Sequence, residues 1–455
     1  MTASIASDRL RTRANAERAA RLPEHLQRLG WDRARLDAHQ RVQLRRLLVH
    51  AAENAPFHAR RLAGICLEQF EASDLPRLPV MTKGEMMADF DDVVTDRRLN
   101  RRTVEEHLAA SKIEPSLLLD EYVCLASGGS SGQRGVFVQT VGSYMDFMAS
   151  LIRPRVARSL ASGTEPSGIV TALVAAASPI HSTALAAATM SGPVQLVPVP
   201  ATRPLPEVVD RLNALQPGAL VGYPSMLAQL AAEQRAGRLS IAPGAVTATS
   251  ELLTEEDGAA IRAAFGVPVI DQFASTEGLV GHSDPGDSVL TFATDMCIVE
   301  LVDADNEPVP VETAADKVLL TNLHNLTQPL IRYELTDRFV RHPDDPSGKL
   351  RAIVAGRADS VFRYGNVAIH PLTVRSVMVG MPTISEYQVR QTERGVAIDV
   401  VAHGQLDPTA LGDALRQSLA RCGLDAPEVT VRSVTSIERH AETGKVRRFI
   451  PLASG

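Results

Sequence analysis

The sequence predicts an α/β protein: a large N-terminal domain of mixed, largely parallel sheets with helices and a β-rich subdomain, followed by a small α+β domain. Three observations predict it. The chain has 455 residues, more than one hydrophobic core usually supports, so at least two domains are expected. In its middle, short apolar runs alternate with helical patterns, which means crossover connections and parallel strands. After "VAGRADSVFRYGN" the pattern changes to hairpin, helix and strand, a module of its own. The expected division is 1–357 and 358–455.

The elements follow in order. In "RVQLRRLLVHAAEN", Val42, Leu44, Leu47, Leu48, Ala51 and Ala52 recur near helical spacing, and the helix should end before Pro56, because the residue preceding a proline is pushed out of the α region. Thr82 and Glu85 in "VMTKGEMMADF" form a capping box that opens another helix. "EYVCL" and "VFVQT" are apolar runs flanking the small-residue loop "ASGGSSGQRG". The runs "GIVTALVAA", "GALVGYP", "AVTATS" and "PVIDQF" read as strands, and "VVDRLNALQ", "SMLAQLAAEQRAG" and "EEDGAAIRAAFG" as the helices between them. From about Ser288, "SVLTFATDMCIVELVDADNEPV" and "DKVLLTNL" suggest strand after strand in a subdomain closing the large domain. Last come a hairpin in "YQVRQTERGVAIDVVAHG", a helix in "LGDALRQSLARCG" and a strand in "EVTVRSV".

Composition narrows the function. Hydrophobic residues are 45% and charged residues 22%, with 47 basic and 53 acidic side chains and a net charge of -6. That balance argues against nucleic acid or an anionic membrane as partner. Cys66, Cys124, Cys297 and Cys422 are far apart and form no C-x-x-C pair, so neither a disulfide framework nor a zinc knuckle is signalled. The first residues lack an apolar export segment, and "GIVTALVAAASPI" is too short to cross a bilayer. The expected location is the cytoplasm.

Five stretches carry chemistry. In "ASGGSSGQRGVF", glycines let the backbone approach an anion and serines add donors, although a plain flexible hairpin accounts for the same residues. The loop fits neither a P-loop nor a dinucleotide fingerprint. "DQFASTEG" follows an apolar run, placing Phe273, Ala274, Ser275, Thr276 and Glu277 at the C-terminal end of a strand, where ligands gather in open α/β sheets. "PLIRYELTDRF" brings Arg332, Tyr333 and Asp337, "AGRADSVFRYGNVAIHP" brings Arg357 and Asp359, and "ETGKVRRF" sets Lys445 beside Gly444 in a turn. Each has a plain structural alternative. Glu277 also reads as a capping acid, Asp337 as a partner of Arg332 or Arg338, Lys445 as a turn lysine, Phe273 as core and His181 as a structural histidine.

With "HAAENAPFHARRL", "RLPVMTKGEM", "VGYPSMLAQLA" and "TATSELLTEE", these stretches resemble, in order and nearly end to end, the adenylate-forming (acyl-AMP) superfamily. The branch is that of phenylacetate–CoA ligases and CapK-like proteins. The resemblance implies ATP-dependent activation of a carboxylic acid, aromatic by branch, with loss of pyrophosphate and transfer to coenzyme A. It also admits the same activation with another acceptor: an amine, a carrier protein, or nitrite on an aromatic amine. A homodimer is compatible with it.

Residue by residue, the resemblance implies that Ser127, Gly129, Ser130, Ser131 and Gly132 form the phosphate loop of ATP. Gln133 and Arg134 stand where the family has lysine and proline. Ser250 and Glu251 would lie beside the adenine, and Phe273 would stack on it in place of the usual tyrosine. Ala274 and Ser275 would belong to the same nucleotide-binding stretch. Thr276 would bond the α-phosphate and Glu277 would hold Mg²⁺. Asp337 and Arg357 would contact the ribose. Asp359 would be the hinge of a mobile C-terminal lid carrying Lys445, which would bridge the substrate carboxylate and the α-phosphate. His181, Tyr223 and Ala274 would shape the acyl pocket. Some members carry zinc cysteines after the glutamate motif. Here "GLVGHSDPGDSVLTFATDMC" has His282 and Cys297 but no cysteine cluster, so no structural zinc is expected.

Overall fold

Local capping chemistry starts three of the first six helices. The N-terminal segment is helix α1 (Ile5–Arg28). Helix α2 (Arg33–Asn54) starts where the Asp32 carboxylate accepts from Arg35 N at 2.9 Å. It ends as expected, with Ala55 extended (φ -123, ψ 107) and Pro56 opening α3 (Pro56–Arg61). The Thr82–Glu85 capping box is present at the start of α4 (Lys83–Ala88), followed by α5 (Phe90–Val93) and α6 (Arg101–Ala110). The computed structural model describes every residue except 1–4, 112, 128–134, 164–168, 191–193, 358–360, 370, 380, 382, 403, 442 and 453–455.

Strands β1 (Tyr122–Ala126) and β2 (Val136–Thr140) pair as an antiparallel hairpin around the small-residue loop. Helix α7 (Val141–Ala161) leads into the alternating region: β3 (Ile169–Ala175), α8 (Ser182–Thr189), β4 (Val194–Pro200), α9 (Leu205–Leu215), β5 (Ala219–Gly222), α10 (Pro224–Arg235), β6 (Ala245–Thr249), α11 (Glu255–Phe265) and β7 (Val269–Ala274). Strands β4, β3, β5, β6 and β7 are parallel neighbours in that order. Their buried side chains, such as Val174, Leu220 and Val246, share one core with Leu212 of α9, Leu227 of α10 and Ile261 of α11. Burial on both faces is why these strands read as continuous apolar runs.

Beyond β7, the expected β-rich subdomain is only partly separate. Strands β8 (Val280–Ser283) and β9 (Leu290–Phe292) extend the parallel sheet antiparallel. Strands β10 (Cys297–Val302), β11 (Lys317–Asn322) and β12 (Tyr333–Leu335) form their own three-stranded sheet. Strands β13 (Asp337–His342) and β14 (Arg351–Arg357) return to the first one, giving nine described strands ordered β13-β14-β9-β8-β7-β6-β5-β3-β4. Local pattern marks a strand but not its partner, so sheet membership was not readable.

The chain divides into two compact units, residues 1–355 and 356–455. In the second, β15 (Phe362–Tyr364) pairs with β16 (Val367–Ile369). Helices α12 (Pro371–Val379) and α13 (Pro408–Arg421) accompany a sheet of β17 (Ile384–Thr392), β18 (Gly395–Ala402), β19 (Glu428–Ser433) and β20 (Phe449–Ile450), ordered β19-β18-β17-β20. The apolar face of α13 (Leu411, Leu415, Leu419) packs with Val389, Ile398 and Val400. No helix among the described residues is long and apolar enough to cross a membrane.

Candidate functional site

Sheet register gathers the candidates of the first unit. Val174, Gly222, Ala248 and Asp271 form one row across β3, β5, β6 and β7. The residues that follow this row leave the carboxyl edge of the parallel strands together: His181 after β3, Tyr223 after β5, Ser250 and Glu251 after β6, and Ser275 to Glu277 after β7. Such an edge is where open α/β sheets place their ligands.

A tight turn presents Thr276 and Glu277. Ser275 N donates to Leu279 O at 3.0 Å, Gly278 N donates to Ser275 O at 3.0 Å, and Ser275 Oγ accepts from Leu279 N at 3.3 Å. Gly278 has φ +106, and a Cβ there would lie 2.3 Å from Asn322 Nδ2 and 2.8 Å from His324 Cε1, so only glycine fits. Asn322, at the end of β11, fixes the turn from below by donating to the Glu277 carbonyl at 2.7 Å. The Glu277 side chain is buried, at 9% exposure. Among the described residues, no donor or cation pairs with its carboxylate. A buried, unpaired carboxylate on a ligand-binding edge suits a hard cation, and magnesium typically takes one or two carboxylates plus substrate oxygens.

The neighbours are arranged as follows. The Tyr223 hydroxyl accepts from Ala176 N at 2.9 Å, and the Glu251 carboxylate accepts from Ser225 N, in the first turn of α10, at 3.2 Å. Ser250 holds φ +67, a left-handed conformation that is costly outside glycine and clusters at functional sites. His181, buried at the start of α8, has Nδ1 3.3 Å from Ala126 O, while Ala126 N donates to Ile180 O. That seam ties the hairpin mouth to the same edge. At the mouth, Ser127 N donates to Gly135 O at 2.9 Å and Ser127 Oγ accepts from Gly135 N at 2.8 Å. Gly129, Ser130, Ser131, Gly132, Gln133 and Arg134 lie outside the described residues.

Phe273 is half-buried, its ring edge-on to Phe292 (6.0 Å) and Phe339 (5.3 Å). It joins an aromatic cluster while keeping part of its surface exposed. Asp337 opens β13 and is half-buried. Arg332 pairs with Glu300 at 2.9 Å and Arg338 with Asp316 at 3.2 Å. Arg357 is the last residue of β14, and Asp359 lies outside the described residues.

In the second unit, Lys445 sits in a closed turn. His440 N donates to Lys445 O at 2.9 Å and Gly444 N to His440 O at 2.8 Å, with Gly444 at φ +73.

Two residues near the edge, Asn322 and Asp271, have no place in the sequence reading, and Tyr333 is singled out there in "PLIRYELTDRF" without a role. Asn322 reaches Glu277 through tertiary contact, which no local motif announces. Asp271, in β7, has its carboxyl pushed up to about 7 by burial. An acid whose pKa is raised on folding loses stability as pH rises from its unfolded value near 4 through 7. Asp271→Asn is therefore expected to raise the thermal midpoint at pH 8 by a few degrees and to change it little at pH 4.5, as read by melting curves at both pH values.

No protein-family model matches the sequence, and no curated protein does. Solved structures do. A 2-hydroxyisobutyryl-CoA ligase in the postadenylation state, in complex with R3-HIB-AMP, superposes with TM-score 0.68 at 19% identity, covering 91% of this chain and 89% of that one. The anthranilate CoA ligase AuaEII in complex with anthranoyl-AMP gives 0.50 at 18% identity over 72% and 65%. A benzoate CoA ligase from Burkholderia xenovorans LB400 gives 0.52 at 18% over 71% and 67%. With the parallel sheet, the carboxyl-edge site and the separate C-terminal unit, this chain has the fold of the adenylate-forming CoA ligases.

Proposed function

We propose that the protein uses ATP to activate a carboxylic acid as its acyl-adenylate and then passes the acyl group to the thiol of coenzyme A. The observation that carries this reading is the buried Glu277 carboxylate, unpaired among the described residues, on the edge where the parallel strands end. A fold matched over most of the chain by a ligase solved with an acyl-adenylate supports it. In the first half-reaction a carboxylate oxygen bonds to the α-phosphorus and pyrophosphate leaves. In the second, the thiol sulfur attacks the acyl carbonyl, AMP departs with the electrons of the carbon–oxygen bond, and the thiol proton passes to solvent.

Two anions must meet in the first step, and the residues proposed here reduce that repulsion. Glu277 would hold magnesium, which neutralises phosphate charge when bound. Thr276 donates to the α-phosphate, Phe273 offers its exposed ring surface to the adenine, and Asp337 accepts from the ribose hydroxyls with Arg357 beside it. His181, Tyr223 and Ala274 bound the acyl group. Lys445 on the C-terminal unit is assigned to the reacting carboxylate, with Asp359 as hinge. We take the acid to be aromatic, the class named for the anthranilate and benzoate ligases.

Incubation with ATP, Mg²⁺ and a panel of aromatic and short aliphatic acids, with and without coenzyme A, tests the proposal. The expected result is AMP and an acyl-CoA thioester in the presence of coenzyme A. No AMP with any acid overturns it, and turnover only with an amine or nitrite moves the reading to a different acceptor. Lys445→Ala is expected to slow adenylation by about 10²–10³-fold while sparing thioester formation from presynthesised acyl-adenylate. Equal loss of both half-reactions contradicts the role given to Lys445.

A further inference from the structure

Tyr333 opens β12, facing Leu320 of β11 on one side and bridged to Met81 on the other. Its ring is wholly buried, yet among the described residues its hydroxyl has no hydrogen-bond partner. A buried donor left unmade is costly and asks for an explanation. Its charged neighbour is Glu277. Burial first, and the Glu277 carboxylate second, push the ionisation of the phenol far up, so the hydroxyl keeps its proton throughout the physiological range. Strand β11 organises both groups, pairing with Tyr333 through Leu320 and holding the Glu277 carbonyl through Asn322.

We propose that Tyr333 is a positioning residue of the nucleotide site, its protonated hydroxyl helping to set the orientation of the Glu277 carboxylate that would hold magnesium. This rests on the nucleotide-activating function given above. Among the described residues no direct bond joins the phenol to the carboxylate, so the donor of the hydroxyl is left for a bound group. Magnesium retains several of its waters, and donors outside the ligand set orient the ligands and tune metal affinity.

The test uses the full chain and manganese(II) with ATP, read by electron paramagnetic resonance, beside melting curves without nucleotide. Tyr333→Phe is expected to weaken manganese binding in the presence of ATP by about tenfold, leaving metal-free ATP binding unchanged and the melting midpoint unchanged or higher. Manganese affinity equal to that of the wild type overturns the inference, and so does a marked fall in melting midpoint, which would make the hydroxyl structural. Glu277→Gln separates the two levels. If it abolishes manganese binding while Tyr333→Phe matches the wild type, only the role of Tyr333 falls. If the wild type binds no manganese with ATP, or Glu277→Gln binds it normally, the nucleotide-activating function falls as well.

Discussion

Glu277→Gln is expected to lower kcat/KM for AMP formation by about 10²–10³-fold, the range for removing one preorganised electrostatic partner of a reacting phosphate or oxyanion. The change keeps the size and shape of the side chain and removes only its charge. In the folded protein that charge is buried and, among the described residues, unpaired. With no protein partner to lose among the described residues, the variant should leave the melting midpoint nearly unchanged. A capping or packing role predicts the opposite pair of results, with activity kept and stability lost. Pyrophosphate release at varied Mg²⁺ measures the first quantity. The fluorescence of the single tryptophan, Trp31, follows unfolding in the second. Full activity with a lowered midpoint would remove Glu277 from the site.

Asp295→Ala is expected to cost about 3–5 kcal/mol, the loss typical when one member of a buried ion pair is deleted. Asp295 and Arg153 are almost wholly buried, with Arg153 Nη1 and Nη2 donating to the two carboxylate oxygens at 2.7 and 2.6 Å. Arg28 of α1 approaches to 3.6 Å and also lies over the ring of Trp31. Nearby on the same helix, Arg21 and His25 hold Asp146 of α7 at 2.8 and 3.1 Å. The N-terminal helix is thus clamped to α7 and to the turn before β10 by charge as well as by apolar contact. In a unit of 355 residues the loss corresponds to a fall in melting midpoint of roughly 4–7 °C, from about 2.1 cal/mol/K of unfolding entropy per residue.

The pairing also has a pH signature. Burial works to raise the Asp295 pKa, but the charge and hydrogen bonds of Arg153, with Arg28, hold it well below the usual carboxylate range. A depressed acid contributes stability that is present above its unfolded value near 4 and is lost as pH falls through the lower folded value. The variant should therefore lose less stability on acidification than the wild type. The double variant Arg153→Met, Asp295→Leu should recover most of the loss, because neither charge then stays buried alone. A single variant as stable as the wild type would contradict the clamp.

Much of the architecture could be read along the chain. The end of α2 before Pro56 and the capping box at Thr82 depend on chemistry within a few residues, and both occur where expected. The alternation of apolar runs and helical patterns led to the parallel sheet because strands covered on both faces need continuous apolar sequence. The shared edge of His181, Tyr223, Glu251 and Glu277 follows from the same alternation, since each follows the end of a parallel strand. Helix α1 was not read as an element. Its buried residues Leu10 and Ala14 are sparse among charged ones, so its apolar stripe is weak and much of its attachment is ionic.

By itself the sequence determined the class of fold, the order of its elements and the stretches that carry chemistry, because caps, turns and side-chain periodicity act over a few residues. Tertiary structure alone decided which sheet each late strand joined, that Asn322 pins Glu277, that Gly278 admits no side chain, and that the Tyr333 hydroxyl, without a partner among the described residues, lies under the influence of Glu277. These depend on groups brought together from distant parts of the chain. Burial and charge pairing exist only once that approach has been made.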